Sequence, residues 1–77
     1  MEDKIRQMIR EAYALDELPE DTAHLSRIGD SLSFMEGIID IEEEFDIKLD
    51  DDRLAGITSV GEFIGYVTAV IESKGEV

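Results

Sequence analysis

Apolar residues return at helical spacing in three separate stretches of this chain, which points to a core built helix on helix. The central stretch runs from Ser31 to about Phe45, where Leu32, Met35, Ile38, Ile39, Ile41 and Phe45 keep the helical period. Residues 2 to 15 make another, with Ile5, Met8, Ile9, Ala12 and Leu15 on one face and Lys4, Arg6, Gln7, Arg10 and Glu11 elsewhere. A last helix opens at Ser59-Val60-Gly61-Glu62, which fits a capping box. It carries Val60, Phe63, Ile64, Val67, Val70 and Ile71 and is expected to end near Ser73, with Gly75 past its end. With no cysteine and one histidine in 77 residues, neither disulfides nor soft metal ligands can support that core. The expectation is one all-α domain over residues 1–77, near the lower size at which a single core sustains folding.

The segments between the helices are less regular. Residues 16 to 30 lack periodicity, hold the one proline, Pro19, and read as a long loop with at most an irregular turn. Leu18, Leu25 and Ile28 are expected to pin that loop to the core, and His24 reads as a loop histidine without a partner. Asp46 to Ala55 reads as an acidic turn followed by a short helical piece around 51–55, anchored by Leu49 and Leu54. A calcium loop starting at Asp46 fails on register, since Asp51 stands at the glycine position and Ile57 at the closing glutamate position. The predicted order is helix, long loop, helix, short helix, helix.

Two features of the central helix stay open at this level. Phe34, Ile38, Ile41 and Phe45 form one apolar row and Leu32, Met35 and Ile39 another, so the helix is either the most buried or turns a residue outward to a partner. Gly37 costs about 1 kcal/mol relative to alanine in mid-helix and implies either a close approach or a lowered surface.

Charge narrows the function. The formal net charge is −13, and the stretch from Glu36 to Asp52 holds nine acids against the single base Lys48. Such a field repels nucleic acid and anionic membranes and speeds encounter with basic protein patches. Glu42, Glu43, Glu44 and Asp46 crowd the negative end of the central helix, so salt and divalent ions are expected to stabilise the fold. The start, Met-Glu-Asp-Lys, lacks the basic region and apolar run of a signal peptide, and the expectation is a soluble, cytoplasmic monomer. One histidine, no cysteine and no glycine-rich phosphate loop leave no nucleophile–base pair, so no enzyme, no catalytic residue and no metal site are expected.

Within this frame Gly29-Asp30-Ser31-Leu32 stands out. Ser31 precedes the central apolar run as its expected N-cap, and a helix start gathers free N–H groups and the positive end of the macrodipole. A phosphodiester on that hydroxyl would be stabilised there.

These residues, together with Ile41-Glu42-Glu43-Glu44-Phe45-Asp46-Ile47 and Ile57-Thr58-Ser59-Val60-Gly61-Glu62, resemble the acyl carrier protein family over nearly the whole chain. The resemblance implies a four-helix bundle with three main helices, a short third helix and a long loop between the first two. It implies that Ser31 accepts 4′-phosphopantetheine from coenzyme A, with Asp30 the adjoining acid that engages a magnesium-dependent phosphopantetheinyl transferase. Acyl intermediates of fatty-acid, polyketide or related biosynthesis would ride on the arm as thioesters. Glu36, Ile39, Glu42 and Glu43 map onto the family's surface for acyl-loading and acyl-processing enzymes with basic patches. Phe34, Met35, Ile38, Leu54, Ile57 and Val67 map onto its acyl-chain cavity. Gly37 stands where the common fatty-acid carriers have leucine and Ser33 where they have an acid, which points to a specialised carrier lacking one apolar partner contact. A peptidyl or aminoacyl carrier and an unmodified acidic interaction module are the alternatives.

Overall fold

The computed structural model describes residues 2–75, and among these it is all-α. Five helices follow one another: α1 (Glu2–Ala12), α2 (Leu25–Ile28), α3 (Ser31–Phe45), α4 (Asp51–Ala55) and α5 (Val60–Gly75). Three are long and α4 is the expected short one. The additional element is α2, a single turn inside what the sequence presents as loop.

α1 forms because its acids, Glu2 and Asp3, sit at the positive end and Arg10 at the negative end, while Ile5 and Ile9 carry its buried face. It stops three residues earlier than periodicity suggests. Ala14 adopts a left-handed backbone at φ 54°, so that Leu15 N–H returns to Arg10 O at 2.9 Å and Ala14 N–H to Glu11 O at 3.2 Å. That is a Schellman stop, built here on alanine rather than glycine. α1 packs chiefly against α3 and α5.

The long connection is tied down by backbone hydrogen bonds rather than by all three expected anchors. His24 and Ser59 form an isolated antiparallel bridge, with Leu25 N–H donating to Thr58 O and Val60 N–H to Ala23 O, both at 2.9 Å. Arg6 donates to Pro19 O at 2.7 Å and pairs with Asp21. Leu25 is buried and Ile28 half-buried, but Leu18 is 49% exposed and anchors nothing. Pro19 is buried in its place.

α3 ends as it is read from sequence, at Phe45, with Asp46 left-handed at φ 52° and Ile47 N–H returning to Glu42 O. Lys74 from α5 lays its ammonium on that end, donating to Asp46 O and pairing with Asp46 Oδ2 at 2.9 Å. This is where a cation complements the helix dipole. Asp50 caps α4 by accepting from Asp52 N–H, and Leu49 and Leu54 are buried on either side. At the start of α5 Ser59 Oγ accepts from Glu62 N–H, while the Glu62 carboxylate reaches back to Thr58 N–H, one residue beyond the Ser59 N–H of the standard box. α5 runs on to Gly75, past the expected stop near Ser73.

The core joins Ile5 and Ile9 of α1, Leu25, Ile41 of α3, Leu49, Leu54, and Val60, Phe63, Ile64 and Val67 of α5. Phe34 and Phe63 meet in a tilted pair with ring centroids 5.8 Å apart, joining α3 to α5 at the end that bears Ser31.

Candidate functional site

The site starts from a steric fit. Gly29 lies extended beneath the Tyr13 ring, and a Cβ on it would stand 2.5 Å from Tyr13 Cδ2, so the fit as it stands requires glycine. The ring continues the row Ile5, Ile9 of α1 at four-residue spacing, one residue past the helix, where Tyr13 N–H still donates to Ile9 O at 3.0 Å, and it fixes how the chain enters α3.

The cap of α3 is Asp30, not Ser31. Asp30 has an extended backbone, and its Oδ1 accepts from Ser33 N–H at 2.9 Å. Serine and aspartate both cap well, but only the residue before the first helical one can face the third N–H, and here that residue is Asp30. The hydrogen bond from the Ser33 backbone, and next that from its side chain, hold the Asp30 carboxyl below its ordinary value. Ser31 is the first helical residue and is exposed, its hydroxyl free of any capping duty.

Beside Ser31 opens a cavity of about 310 Å³, lined by Tyr13, Leu25, Ser26, Gly29, Asp30, Ser31, Phe34 and Ile57. Of the six residues expected to line a cavity, Phe34 and Ile57 do so. Ile38 is half-buried, and Leu54 and Val67 are fully packed in the core, where they line other contacts. Met35 does not line it: it is 57% exposed, on the row that α3 turns to solvent. Tyr13, Leu25 and Ser26 are the lining residues that the family pattern did not supply; the spacing Ile5, Ile9, Tyr13 is the signal that would have found the tyrosine. Tyr13 is 9% exposed, and its hydroxyl is buried without a hydrogen-bond partner. Burial, and secondly the negative Asp30, push that hydroxyl up to about 12.

The outer face of α3 resolves both open questions about this helix. Leu32, Met35 and Ile39 are 66%, 57% and 49% exposed, so a whole apolar row faces outward, with Glu36 and Glu43 exposed beside it. Glu42 is otherwise engaged: it is half-buried, and its Oε2 accepts from Leu49 N–H at 2.8 Å, pairing a donor that the turn after α3 leaves free. Gly37 is buried on the opposite side, where an added Cβ would lie 3.3 Å from Ala12 Cβ of α1. The close approach is the reason for this glycine, and the expectation of a missing surface contact is overturned. No group of His, Cys, Asp or Glu among the described residues is placed to hold a metal ion.

Comparison with known proteins accords with this geometry. The family model described as the phosphopantetheine attachment site matches residues 3–67. An acyl carrier protein of Clostridium acetobutylicum is 32% identical over 73 residues, 91% of this chain and 95% of that protein. An acyl carrier protein of Thermotoga maritima is 33% identical over 67 residues, 83% of each chain. The solution structure of a holo acyl carrier protein from Geobacter metallireducens superimposes with a TM-score of 0.84 at 23% identity, covering 97% of this chain and 90% of that one, a likeness of fold.

Proposed function

Since the chain belongs to the acyl carrier protein family, whose members bear covalent phosphopantetheine, we propose that Ser31 is its attachment residue and that the chain presents acyl thioesters to biosynthetic enzymes. The observation that carries this reading is the division of labour at the start of α3: Asp30 makes the cap and leaves an exposed Ser31 hydroxyl beside a cavity. The residues present fit the group. The N–H groups at the start of a 15-residue helix favour the phosphate, and the neighbouring space can receive apolar chain atoms.

In the attachment step Ser31 Oγ bonds to the phosphorus that bears pantetheine, the diphosphate bond of coenzyme A breaks, and adenosine 3′,5′-bisphosphate leaves. The hydroxyl proton passes to the transferase, which also supplies the magnesium, so a chain without a base of its own suffices. The arm, once bound, supplies a thiol that holds acyl groups as thioesters. Asp30 adds a fixed anionic charge beside the hydroxyl, suited to a partner that arrives with a metal ion or basic groups.

Partner recognition is assigned to the exposed face of α3. Leu32, Met35 and Ile39 offer an apolar patch, and Glu36 and Glu43 offer charge complementary to a basic surface. No helix among the described residues is long and apolar enough to cross a membrane, in keeping with carriage between enzymes of the cytoplasm.

With coenzyme A and a broad-specificity transferase, the chain is expected to gain one phosphopantetheine by mass, and with it the single thiol of a protein that has no cysteine. Ser31→Ala should gain none while keeping its helical circular dichroism. Because the hydroxyl caps nothing, this variant should also keep its stability within about 0.5 kcal/mol. A wild type that resists several transferases, or an alanine variant modified equally well, would defeat the assignment.

A further inference from the structure

The chain has no cysteine, so until an arm is attached its sulfur lies in methionine alone. Met8 and Met35 are the methionines among the described residues, and they sit differently. Met8 is half-buried against the core, whereas Met35 is 57% exposed in the middle of the row Leu32, Met35, Ile39 on α3. It also follows Ser31 by four residues, one turn along the same face of the helix. A surface that closes over the Ser31 hydroxyl therefore borders on the Met35 thioether.

We propose that Met35 is a peroxide-sensitive modification site, and that its conversion to the sulfoxide reversibly weakens docking of the phosphopantetheinyl transferase. This rests on the carrier reading above, in which the exposed face of α3 meets partners and Ser31 takes the arm. In the step, a lone pair on Met35 Sδ attacks one oxygen of hydrogen peroxide, an S–O bond forms and the O–O bond breaks. The leaving hydroxide takes the proton of the transferred hydroxyl and departs as water, so the thioether is oxidised by two electrons and the peroxide reduced by two. A neutral oxidant suits this chain, since a formal charge of −13 repels anionic ones. In the free chain the new S–O dipole stands in water and leaves the packing undisturbed, because Met35 lies outside the core. Beneath a partner's apolar surface the same dipole loses its water without gaining a donor, which is unfavourable. It does so at the centre of the patch, where binding energy concentrates. Methionine sulfoxide reductases return the thioether, which makes the change reversible.

The test treats the full chain, before any arm is attached, with hydrogen peroxide, removes the peroxide, and locates the added oxygen by peptide mass mapping. Sulfoxide should form at Met35 ahead of Met8. The oxidised chain is then loaded by a broad-specificity transferase with coenzyme A. Its kcat/KM should fall by roughly 5- to 30-fold, carried mainly by KM, and recover after treatment with the reductases for both sulfoxide epimers. Its melting temperature should stay within about 2 °C of the untreated chain. Met35→Leu should give the same loading rate before and after peroxide, whatever that rate is, and Met35→Gln should show the loss without peroxide. Oxidation of Met8 as fast as Met35, an oxidised wild type that loads as well as the untreated one, or a peroxide effect that persists in Met35→Leu overturns the proposal. A fall in melting temperature that accompanies the loss also overturns it, since the fold and not the docking face would then be affected. An untreated chain that no transferase loads fails at Ser31, which defeats the carrier reading and this proposal with it, a different result from a chain that loads and ignores peroxide.

Discussion

A serine that caps a helix commits its hydroxyl to a backbone N–H, and a serine that carries a phosphodiester cannot. Here Asp30 takes the first task, which leaves the Ser31 hydroxyl free for the second, the role proposed for it. The cap depends on ionisation. The folded carboxyl is held below its unfolded value, so its contribution is present above that unfolded value and is lost as pH falls through the folded one. Tyr13 has the opposite sign. Its folded value is raised to about 12 from 10.0, so the folded state holds the proton when the unfolded state has released it, and stability is lost as pH rises between those two values. Tyr13→Phe should therefore melt at or above wild type at pH 7, by up to about 1 kcal/mol, because it deletes a buried unpaired hydroxyl while keeping the ring. Its margin over wild type should widen above pH 10. Denaturant melts at pH 7 and 11 check both statements; a phenylalanine variant less stable at pH 7 would mean that the hydroxyl has a partner after all.

At the scale of elements, α3 is where sequence and structure meet most closely, and also where the sequence alone stops. Its span is legible because periodicity, a capping residue and an acidic end coincide at Ser31–Phe45. Which of its two apolar rows faces inward is not, because that depends on where α1 lies. α1 meets the side bearing Gly37 and Ile41, and so Leu32, Met35 and Ile39 are left outside. Gly37→Leu is expected to destabilise by about 1–3 kcal/mol rather than to repair a partner contact, since the added side chain must push Ala12 and α1 away. Gly37→Ala should be nearly neutral: its helix-propensity gain of about 1 kcal/mol offsets a 3.3 Å contact that needs only a small shift. Urea unfolding of both variants decides this, and a leucine variant as stable as wild type would return Gly37 to the surface reading. The remaining boundaries escaped for local reasons. Ala14 ends α1 in a left-handed turn that no glycine announces, and α2 is a single turn held by the His24–Ser59 bridge, a contact between segments far apart in the chain. The site divides the same way: Ser31 and Asp30 can be read from their motif, whereas Tyr13 joins them only through the packing of α1 against Gly29.

For the whole molecule, charge is the property that packing does not offset. Among the described residues three ion pairs form, Lys4–Glu44, Arg6–Asp21 and Lys74–Asp46, all with at least one exposed partner, against 20 acids and 7 bases in the sequence. Exposed pairs of this kind contribute little, so most of the acidic charge remains as mutual repulsion across the compact state. The same field suits the proposed recognition by basic surfaces, which a carrier would reach quickly and leave again, and the repulsion is its cost in stability. Screening should relieve it. Going from low salt to 0.1 M or more brings the Debye length to about 10 Å, comparable to the spacing of neighbouring surface acids, and each 1 kcal/mol recovered would raise the melting temperature by roughly 4–8 °C. No cluster among the described residues is arranged as a metal site, so magnesium and calcium should act alike, as diffuse counterions more effective than sodium at equal concentration and without a sharp saturation point. Thermal melts at pH 7 across sodium, magnesium and calcium series test this directly. Melting temperatures that ignore salt would show that the repulsion is already neutralised, and a sharp calcium-specific rise would reveal an ordered site that the described carboxylates do not form.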